Sequence, residues 1–126
     1  MYQSIENISI QRRFVNLESR QVHYRISGEG PVLLLLHQSP TSSAEKATII
    51  EDFSDDFTVI APDTPGFGLS DYIETLTPDI TLYAQALKEF IDALGLENIS
   101  IYGFHTGAII AAEMARLYPD LCNTVV

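Results

Sequence analysis

Polar and apolar residues alternate over Ser9 to Asn16 and again over Arg20 to Ile26, which predicts two strands paired as an antiparallel hairpin at a sheet edge. Ser27-Gly28-Glu29-Gly30-Pro31 supplies the turn that follows. The rhythm then changes. Val32 to Leu36 is apolar at every position, as expected of a central strand covered by helices on both faces. Ser42 and Glu45 have capping-box spacing ahead of a helix that turns Ile49, Ile50 and Phe53 inward, and Phe57 to Ala61 reads as a second buried strand. Pro62 to Gly68 is a loop by composition, and turn-rich residues continue to Pro78. From about Thr81, the residues Tyr83, Leu87, Phe90, Ile91 and Leu94 recur at helical spacing, with Gly95 placed to cap the C-terminal end. Ile99 to Tyr102 is another strand, Thr106 to Tyr118 an apolar helix stopped by Pro119, and Leu121 to Val126 the opening of one more strand. This order from Val32 onward predicts an α/β fold, a mostly parallel sheet with flanking helices and right-handed crossovers.

A single domain accounts for residues 1–126, and it is expected to be incomplete at its C-terminus because its last strand has only begun. With 46% hydrophobic and 19% charged residues, the chain has the composition of a packed globular protein. Its net charge of −10 argues against nucleic acid or an anionic membrane as partner, since both need clustered Lys and Arg. The charge is uneven: residues 51–126 hold thirteen acidic side chains against two basic ones, Lys88 and Arg116. Cys122 is the one cysteine, so no internal disulfide forms, and no Cys/His set has zinc-ligand spacing. No metal and no cofactor is expected, and a reducing cytoplasm is the default location. The segment MYQSIENISIQRR lacks the order of a signal peptide, and Val32 to Leu36 is too short to span a bilayer. Gly66 and Gly68 begin a G-x-G pattern, but Asp71 stands in the third glycine's place, which argues against a dinucleotide site.

Three motifs sit at the ends of predicted buried strands. His37-Gln38-Ser39-Pro40 follows the first, and Ala61-Pro62-Asp63-Thr64-Pro65-Gly66-Phe67-Gly68-Leu69-Ser70-Asp71 follows the second. Gly103-Phe104-His105-Thr106-Gly107 joins the strand ending near Tyr102 to the helix after it. In this order they resemble the α/β-hydrolase superfamily: its His-Gly-x-Pro loop, its Pro-Asp-x-Pro-Gly-x-Gly-x-Ser loop, and its Gly-x-Ser-x-Gly nucleophile elbow. Gln38 stands where the superfamily has glycine, and His105 stands where it has the nucleophilic serine. The resemblance covers residues 20 to 126 and implies a partial α/β-hydrolase fold with an antiparallel N-terminal hairpin. In the superfamily the triad's carboxylate and histidine follow later strands, so His23 and His37, which precede the elbow, do not map onto that histidine.

The resemblance implies that Gly103 and Gly107 allow a tight strand-to-helix turn with His105 at its apex, facing a pocket. It also implies an oxyanion hole made by the backbone N–H groups of Ser39 and Thr106. His37 is expected to fix its loop by hydrogen bonds, His23 to be solvated, Asp63 to satisfy nearby backbone N–H groups, and Cys122 to be a small core residue. The functional expectation is a hydrolase of a small ester, amide or related carbonyl substrate in which His105 acts as base or nucleophile. Two alternatives stay open: a small-ligand-binding pseudoenzyme, or an inactive truncated product. An exposed sheet edge would offer a surface for self-association.

Overall fold

The computed structural model describes residues 9–73, 75 and 78–126. Residues 1–8 of the N-terminal segment and residues 74, 76 and 77 of the turn-rich patch before Pro78 lie outside that set. Six strands form one mixed sheet: β1 (Gln11–Asn16), β2 (Gln21–Ser27), β3 (Val32–Leu36), β4 (Thr58–Pro62), β5 (Ile99–Gly103) and β6 (Cys122–Val125). Their order across the sheet is β1-β2-β4-β3-β5-β6. The expected hairpin is present, β1 pairing antiparallel with β2 at the edge, and β2 continues antiparallel onto β4. The remaining pairs, β3 with β4, β3 with β5 and β5 with β6, are parallel.

The unbroken apolar run of β3 is explained by two cores, one on each face. Leu34 and Leu36 join Ile60, Ile99 and Ile101 against α2 (Ile80–Ala93) and α3 (Thr106–Leu117), which contribute Leu87, Phe90, Ile91, Ile110 and Met114. Leu33 and Leu35 join Val59 and Ala61 against Ile50 of α1 (Ala47–Phe53), with Ile49 and Phe53 packed at the margin. Each fully buried aliphatic side chain contributes about 1.5–3 kcal/mol, so neither face tolerates a polar residue at these positions. No helix among the described residues is long and apolar enough to cross a membrane.

Helix ends follow the sequence with two differences. As expected, α2 closes on Gly95, whose N–H donates to Asp92 O while that of Leu96 donates to Ile91 O. At its start Asp79 caps the Leu82 N–H at 2.9 Å, a residue earlier than the spacing suggested. Ser42 also caps, but its hydroxyl takes the Ala44 N–H rather than that of Glu45, because the segment opens as a 3₁₀ turn over Ser43–Lys46 before α1 begins. The β4 strand starts at Thr58 rather than Phe57, because the Phe57 N–H still closes α1 on Phe53 O. Cys122 is partly buried against the larger core, and burial pushes its thiol pKa up.

Candidate functional site

Parallel neighbours β3 and β5 end at the same edge of the sheet, with Leu36 opposite Gly103. Their continuations, His37 to Pro40 and Phe104 to Gly107, are therefore adjacent, and the Phe104 N–H donates to Leu36 O at 3.0 Å. β4, on the other side of β3, delivers the Asp63 loop to the same edge. Topology alone brings the three motifs together.

Between β5 and α3 the chain turns within two residues, Phe104 and His105. His105 has φ 53° and ψ −115°, a left-handed backbone that a histidine adopts only when its surroundings impose it. The surroundings do so by contact: a Cβ on Gly103 would lie 2.5 Å from Gly107 O, and one on Gly107 would lie 2.3 Å from Leu36 O. His105 is exposed at the apex, and its side chain makes no capping hydrogen bond to α3. The preceding Phe104 ring stacks on Tyr102 at 4.6 Å and lies beneath the Lys46 ammonium, 3.7 Å from the ring centroid. Lys46 is itself buried and donates to Gln38 Oε1 at 3.2 Å. Gln38 thus keeps a right-handed or extended backbone and uses its side chain to tie the first loop to the turn.

The Ser39 N–H donates to the Thr106 hydroxyl at 2.7 Å, across 67 positions of sequence. Thr106 opens α3, so its own N–H has no intrahelical acceptor. Both residues line a cleft of about 70 Å³, walled by Phe67, Ile80, Tyr83 and Ile110. His105 stands beside this cavity and is not in its lining. Tyr83, which reads from its spacing as a plain core residue, is a wall of it.

His37 is buried and holds its loop, as the sequence suggested. Its Nε2 accepts the Thr64 N–H at 3.0 Å, so the ring proton sits on Nδ1 and is donated to Gln38 O at 2.9 Å. Burial lowers its pKa against the opposing pull of the Gln38 carbonyl and of Asp63. A second proton would also set two N–H donors face to face. The folded state therefore binds this proton more weakly than the unfolded chain, and stability contributed by His37 is complete above the unfolded value of about 6.5 and falls with pH below it. Urea midpoints at pH 7.5 and pH 5.5 are expected to differ more in the parent than in His37→Gln. Equal differences would overturn this account.

His23 corrects the sequence reading. It is 1% exposed rather than solvated, because β1 covers it with Phe14, 4.9 Å away between ring centroids, and because Asp63 lies beneath. Its Nδ1 is 2.8 Å from Asp63 Oδ2, which also accepts the Leu69 N–H, while Oδ1 accepts the Ser43 N–H and hydroxyl. Burial raises the Asp63 pKa, but these hydrogen bonds together outweigh it and hold the carboxyl below its ordinary range. Asp63 is thus a structural node, as its loop composition implied, although no pattern in the sequence marks His23 or Ser43 as its partners.

A family profile for the alpha/beta hydrolase fold matches residues 31–126. Among similar proteins, haloalkane dehalogenase 2 of Mycobacterium tuberculosis is 34% identical over 116 residues, covering 92% of this chain and 41% of its own length. The 2-(acetamidomethylene)succinate hydrolase of Mesorhizobium japonicum is 34% identical over 117 residues, covering 93% of this chain and again 41% of the relative. The crystal structure of an epoxide hydrolase from Vigna radiata superposes with a TM-score of 0.88 at 25% identity, over 94% of this chain and 39% of that one. The chain thus spans about two fifths of the length of relatives that are themselves hydrolases. On the strength of the profile match and the shared sheet, this chain belongs to the alpha/beta hydrolase fold family.

Proposed function

We propose that the chain forms the nucleophile-elbow half of a hydrolase acting on a small ester, amide or related carbonyl compound, with His105 as base or nucleophile at the elbow. The observation that carries this reading is the left-handed backbone at His105, held by two glycines that accept no Cβ. Such strain persists where the surroundings over-determine it, and it clusters at reacting positions. The Thr106 N–H, together with the hydroxyl that engages Ser39, supplies donors near the apex for an oxygen that gains charge. On this reading His105→Ala abolishes turnover of a panel of chromogenic esters while shifting the melting temperature by less than about 2 °C, because the glycines and not the imidazole make the turn. Unchanged turnover in that variant would overturn it.

A ligand-binding role without turnover is favoured by a different observation. The Ser39 N–H is already satisfied by Thr106, and the imidazole lies outside the cavity lining. Compounds of the same panel that raise the melting temperature without being turned over would support this second reading. The acidic balance speaks against nucleic acid as the partner in either case.

A further inference from the structure

Seven lysines and arginines stand against seventeen acidic residues in this chain, so carboxylates are plentiful as partners. Four of the cations take one: Arg20 pairs with Glu89, Lys46 with Glu45, Lys88 with Asp92 and Arg116 with Glu113. The other three, Arg12, Arg13 and Arg25, make no ion pair among the described residues, and all three lie on the β1–β2 hairpin. Arg12 stands directly opposite Arg25 in the antiparallel register. Like charges so placed repel and destabilise the pairing. Arg25 is held there, since its Nη1 donates to Ser43 Oγ at 2.6 Å. Asp63 lies beyond that hydroxyl, and both of its oxygens are already engaged by Ser43, His23 and Leu69. Burial lowers the Arg25 pKa, Asp63 opposes that change, and Arg12 adds to it. We propose that Arg12 and Arg25 form a binding site for an oxyanion on the face of the hairpin turned toward α1.

The surroundings set the class of ligand. Both arginines line an open groove of about 290 Å³ whose other walls are Ile10, Ala44 and Ala47. No acidic residue is among the described residues lining it. A guanidinium presents its N–H donors as a planar fork that matches two oxygens of a carboxylate or phosphate. Two such forks bordering one groove offer an oxyanion both charge and hydrogen bonds, and they repel a cation. The three apolar walls suit a short aliphatic group attached to the anion. The ligand class is therefore an organic carboxylate or phosphate monoester with a short aliphatic chain. The net charge of −10 repels anions from the molecule as a whole, so saturable binding here cannot come from diffuse attraction. The groove shares no residue with the cleft lined by Ser39 and Thr106, and the inference does not depend on chemistry at His105.

Butyrate and n-butyl phosphate are the probes, with n-butanol as the uncharged control and formate and inorganic phosphate as the bare head groups. The readout is a titration of the ¹⁵N-labelled chain followed by two-dimensional NMR. At least one butyl anion is expected to give saturable shifts at the Arg12, Arg25, Ala44 and Ala47 amides, and the tighter of the two names the head group. Its bare head group should bind at least about threefold more weakly, the worth of burying one methylene, and butanol should not saturate. Arg12 is exposed and makes no side-chain hydrogen bond among the described residues, so Arg12→Gln keeps the fold. It should weaken binding at least about tenfold, the worth of one charged hydrogen bond. Arg13→Gln removes the same charge one position along, where strand alternation turns the side chain to the other face, and should stay within about twofold of the parent. No saturable binding of either butyl anion, butanol binding as tight as theirs, a bare head group equal to its butyl form, or equal losses in the Arg12 and Arg13 variants would each overturn the proposal. His105→Ala is expected to leave these affinities unchanged, so this inference and the hydrolase reading fail separately.

Discussion

Gly107→Ala is expected to destabilise the chain by at least about 3 kcal/mol, lowering its melting temperature by about 10 °C. The sign is informative. At an ordinary position inside a helix, alanine in place of glycine gains about 1 kcal/mol of helix propensity. Here the added methyl would lie 2.3 Å from Leu36 O and 2.8 Å from His37 O. Both are backbone atoms of the central strand and its loop, and neither rotates aside, so α3 must lift from the sheet or the His37 loop must shift. Gly103 meets the same obstacle from the other side, against Ala108 Cα at 2.6 Å. A thermal melt with a urea titration reads the effect, and a Gly107→Ala chain as stable as its parent would mean that the turn is looser than described.

Asp63→Ala should cost about 3–5 kcal/mol, because it strands several buried hydrogen-bond donors at about 1–3 kcal/mol each. The loss leaves the Ser43 N–H and hydroxyl, the Leu69 N–H and the His23 ring without their common acceptor. It also opens a hole under Gly68, which at φ 54° packs directly on this carboxylate. Asp63→Asn recovers little, because one of its two ends becomes a donor facing donors. The same carboxylate links stability to acid: its depressed pKa means that the contribution is complete above the ordinary carboxylate value of about 3.9 and is lost as pH falls through the folded value. Equilibrium unfolding of the two variants near neutral pH checks the magnitude, and a loss below about 1 kcal/mol in Asp63→Ala would show that the node is dispensable.

The sheet and the turn were legible because their signals are local. An all-apolar run of five residues at Val32 to Leu36 has one economical explanation, burial on both faces, and the structure shows both. Glycines two positions before and after His105 mark a close approach without reference to any other part of the chain. The Asp63 node and the cavity were hidden because their partners are distant in sequence. His23 lies 40 positions before Asp63, and nothing in a strand of alternating character tells a histidine facing a carboxylate from one facing water. Lys46 was hidden for the opposite reason, since a lysine near a helix start reads as solvated until Gln38 and Phe104 are seen to enclose it.

The strand order has a consequence for how readily this site changes. From β3 the chain leaves over one face through α1 to reach β4 on one side, and from β5 it leaves over the opposite face through α3 to reach β6 on the other. Connections departing in opposite directions part at the carboxyl ends of β3 and β5, and the gap between them is a topological switch point that exists whatever side chains border it. The crevice is thus inherited from the path of the backbone, while the reagent placed in it is a matter of single residues. A lineage can exchange the residue at position 105 without rebuilding the cleft beside it.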